Sequence, residues 1–240
     1  PVVTFSMEES DILTAVSDNL KEETYKYFSI NKPIEVIHNF VDVMRFNKKP
    51  VDAFKKLIAP NGEKIIVHAS NFRKVKRIED VIAVFSQIIK EIPAKLLLIG
   101  DGPERSHIEK VCREFNTCDW VTFLGKQEAI EEILSIGDLF ILPSESESFG
   151  LAALEAMACE VPVISSNAGG IPEVNIHGFT GYLSEVGDVD DMAQNAISLL
   201  KDPNLLATFK KNVLIQAHKF DLKEILLQYE AIYHRVAAKN

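Results

Sequence analysis

Cysteine, positive charge and long apolar runs are all scarce in this chain of 240 residues. Its three cysteines, Cys112, Cys118 and Cys159, are odd in number and lack the Cys-x-x-Cys and histidine spacings of a zinc site. No apolar run approaches the roughly 20 residues that a membrane helix needs, and no cleavable signal peptide opens the sequence. We therefore expect a soluble protein of the reducing cytoplasm with no metal site, although peripheral contact with a membrane stays open.

Several kinds of active site are also missing. The Gly-Lys-Ser/Thr sequence of a phosphate-hydrolysing P-loop does not occur, and Ser144, Ser146 and Ser148 lack the Gly-x-Ser-x-Gly elbow of a serine hydrolase. A net charge of −9 argues against nucleic acid as a partner, because nucleic-acid binders usually carry a basic field. A small molecule is the expected ligand. The histidines show no metal-ligand spacing and are expected to be structural or superficial: His38, His68, His107, His177, His218 and His234.

What is present is the composition of a globular domain, with 47% hydrophobic and 25% charged residues. Short apolar runs alternate with amphipathic ones, the clearest of which is a helix with Ile78, Val81 and Phe85 on one face. This repeated strand–helix order predicts an α/β, Rossmann-like parallel sheet covered on both faces, with ligands at the carboxyl ends of its strands. The predicted strands are residues 65–69, 95–99, 120–124, 139–142, 162–164 and 181–183, and further helices are expected at 104–115 and 128–136.

The first part of the chain is expected to belong to a different unit. Residues 11–17 and 34–38 predict two strands joined by a helix over 18–28, as at the edge of a second sheet. Residues 39–60 have few periodic apolar positions and several lysines, which is typical of a linker. We therefore place a boundary near Phe40.

Glu147 and Glu155 lie eight residues apart, on either side of a predicted helix start. Residues 138–143 predict a buried strand and 149–158 a helix, with a polar turn between them. The unpaired N–H groups of a helix N-terminus suit a phosphate, and Gly150 allows a ligand close to the backbone. A carboxylate repels phosphate but accepts two O–H donors, so Glu155 fits a ribose diol. A capping loop followed by a surface glutamate is the structural alternative.

A basic turn at residues 71–77, Asn-Phe-Arg-Lys-Val-Lys-Arg, stands out in an acidic chain. Its four cations lie between a predicted strand and a predicted helix start, and no acidic cluster is expected near them. Because a helix N-terminus disfavours cations unless an anion is bound, the turn predicts a phosphate site on the same sheet edge as Glu147. A solvated basic loop is the structural alternative.

Two glycine-containing turns also follow predicted strands. Residues 100–105, Gly-Asp-Gly-Pro-Glu-Arg, begin like a dinucleotide-binding fingerprint, but Arg105 stands where the third glycine is required. No suitable acidic residue lies about 20 positions further on, so a nicotinamide-dependent enzyme is disfavoured. This turn is either structural or part of a ligand site. Gly169 and Gly170 likewise leave room for a sugar or turn the chain.

Taken in order, these segments resemble the retaining glycosyltransferases of family four, whose nucleotide-sugar domain carries two glutamates eight positions apart. The resemblance covers roughly residues 40–220 and extends to members that transfer N-acetylglucosamine from UDP to the hydroxyl of L-malate in bacillithiol biosynthesis. The broad match rests on residues 99–103, 121–125, 138–143, 147–158, 161–164, 169–173 and 178–183, and the narrower one on 14–20, 36–42 and 70–77.

The resemblance implies a metal-independent transfer in which a UDP-sugar is the donor substrate and no further cofactor is used. Arg73 and Lys76 would stabilise the departing diphosphate, Glu147 would position the sugar, and Glu155 would hold the ribose. Many members have arginine where Asn71 stands, so Arg73 must supply that charge here. The donor-binding residues implied in addition to Glu155 are Asn71, Leu124, Gly125, Lys126, Phe149, Gly150 and Leu151.

The resemblance also implies three parts: residues 1–40 as a remnant of an N-terminal, acceptor-binding Rossmann-like domain, 41–220 as the donor domain, and 221–240 as a helix crossing back. The sequence opens at Pro1 without methionine, so a fragment or processed chain is expected. The missing N-terminal domain or a homo-oligomer would then cover exposed apolar surface. The alternatives are a family member acting on a lipid or polysaccharide acceptor, and a nucleotide-sugar-binding module without catalysis.

Overall fold

The computed structural model describes residues 2–238. The strands are β1 Leu13–Ala15, β2 Ile34–Val36, β3 Lys64–Ala69, β4 Ala94–Ile99, β5 Val121–Gly125, β6 Leu139–Leu142, β7 Val163–Ser166 and β8 Gly181–Ser184. The helices are α1 Val2–Glu9, α2 Asp18–Tyr27, α3 Asp52–Ile58, α4 Ile78–Ile88, α5 Arg105–Glu114, α6 Ile130–Ile136, α7 Leu151–Ala158, α8 Ile171–Val174, α9 Val189–Lys201, α10 Pro203–His218 and α11 Leu222–Ala237. Short 3₁₀ turns lie at Lys74–Lys76 and Cys118–Trp120.

Strands β3 to β8 form one parallel sheet in the order β5-β4-β3-β6-β7-β8. The chain first builds outward from β3 through β4 to β5, and then returns to add β6 on the other side of β3. In the register of this central pair, Ile66 lies opposite Leu139 and Val67 opposite Phe140. The α/β, Rossmann-like fold predicted from the sequence is confirmed. In such sheets ligands bind in the crevice where the strand order reverses, which is here between β3 and β6.

Helices cover both faces of this sheet, because its inner strands are apolar at successive positions rather than at alternate ones. On β3, Ile65 and Val67 pack on one face with α6, α7 and α10, while Ile66 packs on the other with α4, α5 and α9. All three side chains are fully buried, and each such burial contributes about 1.5–3 kcal/mol. The loops at the strand ends therefore project from a close-packed support.

The two ends of the described chain meet in a smaller unit. Strands β1 and β2 are connected by α2 and pair directly in parallel. Ile225 of α11 packs against Ile37, which follows β2. The N–H of Val41 donates to the Phe220 carbonyl at 2.9 Å, and the N–H of Leu222 donates to the Val41 carbonyl at 3.0 Å. Helix α11 is thereby fixed to the segment that leads from the small sheet into the large one.

The structure corrects the predicted elements in two places. The expected linker at residues 39–60 contains helix α3, whose Phe54 and Ile58 pack against the core of the large sheet. Helix α7 begins at Leu151 and not at residue 149. Helices α9 and α10 are not among the predicted elements, whereas the predicted strands agree with the observed bounds to within two residues.

The division of the chain near residues 40 and 220 stays a prediction. Its outer ranges include Pro1 and residues 239–240, which lie outside the described residues. Between residues 2 and 238, none of the helices combines the length and the apolar character that crossing a membrane requires.

Asp138 fixes the start of the central strand pair. Its buried carboxylate accepts the N–H of Ile65 at 2.9 Å, and its own N–H donates to the Ile65 carbonyl at 2.7 Å. Lys55 of α3 lies 3.0 Å from the carboxylate and Lys210 of α10 lies 3.7 Å from it. Burial alone would raise the pKa of Asp138, but the Ile65 hydrogen bond and the two lysines outweigh it and hold that pKa below its ordinary value. One carboxylate thus ties two helices to both central strands.

We expect Asp138→Asn to lower the free energy of unfolding at pH 7 by about 3 kcal/mol, because removing one partner of a buried ion pair leaves the other charges uncompensated. Urea denaturation measures the change. Glu35→Gln is the matched control, since it breaks the 2.6 Å pair with Arg235 at an exposed site, where loss of about 1 kcal/mol or less is expected. An Asp138 variant no less stable than this control would contradict the anchoring role.

Candidate functional site

Two loops meet where the strand order reverses. The loop after β3 carries the basic turn, and the loop after β6 carries Glu147. The N–H of Glu145 donates to the Val75 carbonyl at 2.9 Å, so the loops are joined through their backbones. The carboxyl ends of β3 and β6 therefore bring cationic and acidic side chains to one crevice.

An ion pair between Lys76 and Glu147 lies at the centre of this crevice. Nζ of Lys76 is 2.5 Å from Oε1 of Glu147, and Oγ of Ser144 donates to the same oxygen at 2.9 Å. The side chains of Lys76 and Glu147 are only 19% and 14% exposed. Hydrogen bonds between charged groups are stronger than those between neutral ones, so the carboxylate is held in one orientation. Within residues 2–238 no hydrogen bond reaches its second oxygen, Oε2, which is left for a ligand.

Gly169 and Gly170 support the Glu147 loop from the neighbouring strand. The N–H of Gly170 donates to the Glu147 carbonyl at 2.8 Å. At Gly169, where φ is 57°, a Cβ would lie 2.0 Å from that carbonyl oxygen, and at Gly170 it would lie 2.4 Å from the Ser148 carbonyl oxygen. Only glycine permits this approach. From the sequence, these two glycines either turn the chain or leave room for a sugar. In the structure they allow close backbone packing that positions Glu147.

Helix α7 begins directly after this loop, with Gly150 as its N-cap. Among the described residues no acceptor pairs with the backbone N–H groups of Phe149, Gly150 or Leu151, which are the free donors of a helix N-terminus. The ring of Phe149 is buried, with its centroid 5.8 Å from that of His38 and 5.4 Å from that of Phe220. Phe149 can therefore serve a ligand through its backbone, while its side chain holds the loop to the core.

A pocket of about 420 Å³ opens at the same edge of the sheet, a size suited to a small organic ligand. Of the predicted site residues, Lys126 and Glu155 line it, and Leu124 and Gly125 come directly before Lys126 at the end of β5. The lining also includes Ser70, Gly100, Gln127, Ile130 and Ala152.

The negative charge of the Glu155 carboxylate is poorly compensated by its neighbours in this pocket. Burial raises the pKa of Glu155 to about 7, the charge of Arg45 opposes the rise, and Glu131 adds to it. A carboxyl group with so perturbed a pKa in a pocket is a functional-site candidate. An ionised carboxylate only accepts hydrogen bonds, so Glu155 needs donors from a ligand or from solvent.

The cations of the basic turn differ in their surroundings. The guanidinium of Arg77 pairs with Asp80 at 2.6 Å, and Lys76 pairs with Glu147. The expectation that the turn lacks acidic neighbours is therefore wrong for these two residues, whose partners come from the next helix and from a distant loop. Arg73 is exposed and, within residues 2–238, forms no ion pair.

Close backbone contact joins the loop after β4 to the loop after β3. The N–H of Ser70 donates to the Ile99 carbonyl at 3.1 Å, and the N–H of Phe72 donates to the Asp101 carbonyl at 3.0 Å. A Cβ at Gly100 would lie 1.8 Å from the Ser70 carbonyl oxygen, so the glycine allows the two loops to touch. Asn71, between the two hydrogen-bonded residues, is exposed.

Three polar residues of the site are absent from the predicted set: Ser144, which holds Glu147, and the pair formed by His68 and Ser70, whose Nε2 and Oγ lie 2.8 Å apart. The other partner of His68 is the Ile141 carbonyl in β6, so no local pattern marks His68 and Ser70, whereas Ser144 lies three residues before Glu147 in the same loop. The polar turn before Glu147 is the one signal that could have indicated Ser144.

A second acidic group lies between the small and large sheets. Ligand-type atoms of Asp18, His38 and Glu173 fall within 4.8 Å of one another. The Glu173 carboxylate, however, already accepts the N–H groups of Asp18 and Asn19, each at 3.0 Å, and lies 3.3 Å from Nε2 of His38. Glu173 thereby caps the start of α2, which accounts for the cluster without a metal.

Comparison with known proteins yields a family and several relatives. The model of the family described as "Glycosyl transferases group 1" matches residues 51–214. An N-acetyl-alpha-D-glucosaminyl L-malate synthase of Bacillus anthracis is 46% identical over 98% of this chain and 62% of its own length. The resemblance drawn from the sequence is thus confirmed.

Two solved structures share the fold. Sucrose-phosphate synthase from Thermosynechococcus elongatus has a TM-score of 0.92 at 29% identity, covering 100% of this chain and 61% of its own. HepE of Anabaena, in complex with UDP and glucose, has a TM-score of 0.87 at 22% identity, covering 97% of this chain and 66% of its own. At that identity the likeness to HepE concerns the fold alone. The chain spans less than two thirds of the length of each of these three proteins.

We expect Glu155→Gln to stabilise the protein at pH 8 by up to about 3 kcal/mol, and to change its stability little at pH 4. The folded pKa of about 7 exceeds the ordinary value of 4.5, so the carboxyl group costs stability increasingly as pH rises from 4.5, and fully above 7, at about 1.4 kcal/mol per pKa unit. Glutamine carries no such cost.

Urea denaturation at pH 4, 6 and 8 tests this difference. Glu91→Gln, at an exposed ion pair with Lys201, is the control and should show no gain that grows with pH. A Glu155→Gln protein less stable than the wild type at pH 8 would mean that the carboxylate is satisfied within the chain.

Proposed function

The chain belongs to the glycosyl transferases group 1, and from that premise we propose that it forms the donor side of a retaining glycosyltransferase that binds a UDP-sugar. The observation that carries the proposal is the convergence of three features on one sheet edge: the Lys76–Glu147 pair, the free N–H groups at the start of α7, and Glu155 in its pocket. Each suits a different part of one ligand.

The parts of a UDP-sugar fit these groups in order. The free N–H groups of Gly150 and Leu151 suit the diphosphate, because a helix N-terminus favours anions. Glu155 accepts the two ribose hydroxyls, which explains a carboxylate that lacks donors within the chain. Oε2 of Glu147 takes a sugar hydroxyl, and the end of β5 at Lys126 borders the uracil.

The cations then act on the bond that breaks. Transfer separates the anomeric carbon from an oxygen of the β-phosphate, and negative charge develops on that oxygen as UDP departs. Lys76 and Arg73 stabilise this charge, which is electrostatic catalysis of the kind that needs no metal ion. Lys76 is oriented beforehand by Glu147, so the cation that meets the leaving group and the carboxylate that meets the sugar are positioned together.

For the sugar and the acceptor we propose N-acetylglucosamine and L-malate. The support is the 46% identity with the Bacillus anthracis synthase, of which the match covers 62%. That coverage leaves a second candidate, a nucleotide-sugar-binding module that does not turn over by itself. In either case we propose that a further domain or a second copy of the chain completes the acceptor side.

We expect Lys76→Ala to weaken UDP binding about 10-fold or more, because a hydrogen bond to a charged group contributes about 1.5–3 kcal/mol and 1.4 kcal/mol is a factor of ten. Isothermal titration calorimetry with UDP, UMP and NAD measures the effect. UMP lacks the β-phosphate, so its affinity should change much less than that of UDP.

Lys201→Ala, in the exposed pair with Glu91, is the matched control and should leave all affinities unchanged. Equal losses of UDP and UMP binding in Lys76→Ala would place the lysine away from the β-phosphate. NAD binding tighter than UDP binding in the wild type would overturn the proposed function.

Turnover, measured on the protein with its acceptor side complete, separates the two candidates. A transferase should release UDP from UDP-N-acetylglucosamine only when L-malate is added, whereas a binding module should bind the donor and release no UDP. Coupled detection of UDP measures the rate. UDP release that depends on a lipid or polysaccharide, and not on malate, would replace the proposed acceptor.

A further inference from the structure

His68 and Ser70 form a hydrogen-bonded pair at the end of β3 whose direction is fixed by chemistry. The His68 side chain is fully buried. Its Nδ1 lies 2.8 Å from the carbonyl oxygen of Ile141 in β6, and its Nε2 lies 2.8 Å from Oγ of Ser70. Ser70 itself is half-buried and lines the 420 Å³ pocket together with Glu155.

The Ile141 carbonyl determines which nitrogen of His68 carries the proton. A carbonyl oxygen only accepts, so Nδ1 must be the N–H. Burial lowers the pKa of His68 to about 4, and the ring is therefore neutral at physiological pH. Nε2 is then an acceptor, and the hydroxyl of Ser70 must donate its single proton to it.

This direction limits what Ser70 can offer to a ligand. A serine hydroxyl has one proton and two lone pairs, and the proton is committed to His68. Ser70 Oγ can therefore accept a hydrogen bond from the pocket but cannot donate one. A diphosphate, whose oxygens are acceptors, forms no hydrogen bond with Ser70, whereas a hydroxyl or a ring N–H can donate one to it.

We propose that Ser70 is a specificity-determining residue that accepts a hydrogen bond from a donor group of the nucleoside, and that His68 is the positioning residue that fixes its direction. The inference rests on the proposed binding of a UDP-sugar and deepens it. Uridine carries three donor groups: the 2′-hydroxyl, the 3′-hydroxyl and the N3–H of uracil. Because each hydroxyl has one proton and Glu155 is proposed to accept both, the N3–H is the expected partner of Ser70, and a hydroxyl takes its place only where Glu155 accepts the other hydroxyl alone. Uridine in UDP carries no other N–H or O–H group.

The test compares UDP with three analogues that each lack one donor: 2′-deoxy-UDP, 3′-deoxy-UDP and 3-methyl-UDP. Ser70→Ala should weaken UDP binding roughly 3- to 10-fold, the range expected for one hydrogen bond between neutral groups. For the analogue that lacks the donor facing Ser70, the same substitution should have no effect. The identity of that analogue names the contact.

His68→Asn examines the positioning role. The asparagine amide retains an N–H near the position of Nδ1 for the Ile141 carbonyl, but it presents no acceptor to Ser70. UDP binding should weaken, and adding Ser70→Ala should cause no further loss, because the two residues act through one hydrogen bond. His68→Gln, with an acceptor near the position of Nε2, should restore part of the affinity.

The tautomer has a measurement of its own that needs no ligand. Nitrogen-15 NMR of the imidazoles, assigned through His68→Asn, should show His68 neutral, with Nδ1 protonated, at pH 6. A protonated Nε2 would overturn the inference, as would UDP affinity within twofold of the wild type in Ser70→Ala. Failure of wild-type protein to bind UDP would overturn the proposed function as well, whereas binding that is insensitive to Ser70→Ala would overturn this inference alone.

Discussion

The pairing of β3 with β6 is the constraint on which the rest of the site depends. These strands are far apart in sequence, and their alignment is fixed at both ends. Asp138 and Ile65 exchange hydrogen bonds where the strands begin, and His68 donates to Ile141 near their carboxyl ends. A backbone hydrogen bond between the following loops extends the link past the sheet. A shift by one residue would move every side chain of one strand to the opposite face of the sheet, into the other core, and would separate the basic turn from Glu147.

Two groups at this edge, the fully buried His68 and the partly buried Glu155, give the stability of the molecule opposite dependences on pH. His68, with its pKa lowered from 6.5 to about 4, contributes stability that is present above pH 6.5 and lost as pH falls toward 4. Glu155, with its pKa raised to about 7, contributes stability that is present below pH 4.5 and lost as pH rises toward 7. The two effects oppose each other over the shared range. The stability of the wild type can therefore change little with pH although both groups contribute, and a substitution of one group reveals the pH dependence of the other.

The sequence supports the fold more fully than it supports the site. Apolar runs of three to five residues are local signals, so the six strands of the large sheet are predicted nearly to their ends. Lys76 could be chosen because cations at a helix start are unfavourable unless an anion is bound, and Glu147 and Glu155 because their spacing fits a family pattern. Ser70 and His68 could not, since their roles depend on a carbonyl in β6, 73 residues from His68. Helix α3 was also out of reach, because its apolar face is recognised only against the sheet that it covers.

Hydrogen bonds connect the small sheet to the candidate site through Ser148. The hydroxyl of Ser17, at the N-cap of α2, donates to the Ser148 carbonyl at 2.6 Å, and Glu173 holds the first N–H groups of the same helix. Ser148 directly follows Glu147, and Glu173 lies three residues after Gly170, which supports the Glu147 loop. A change in the orientation of α2 must either break these hydrogen bonds or displace the backbone beside Glu147. If a ligand at Glu147 binds more tightly in one orientation of the small sheet, that orientation is stabilised by the same free energy when the ligand is bound.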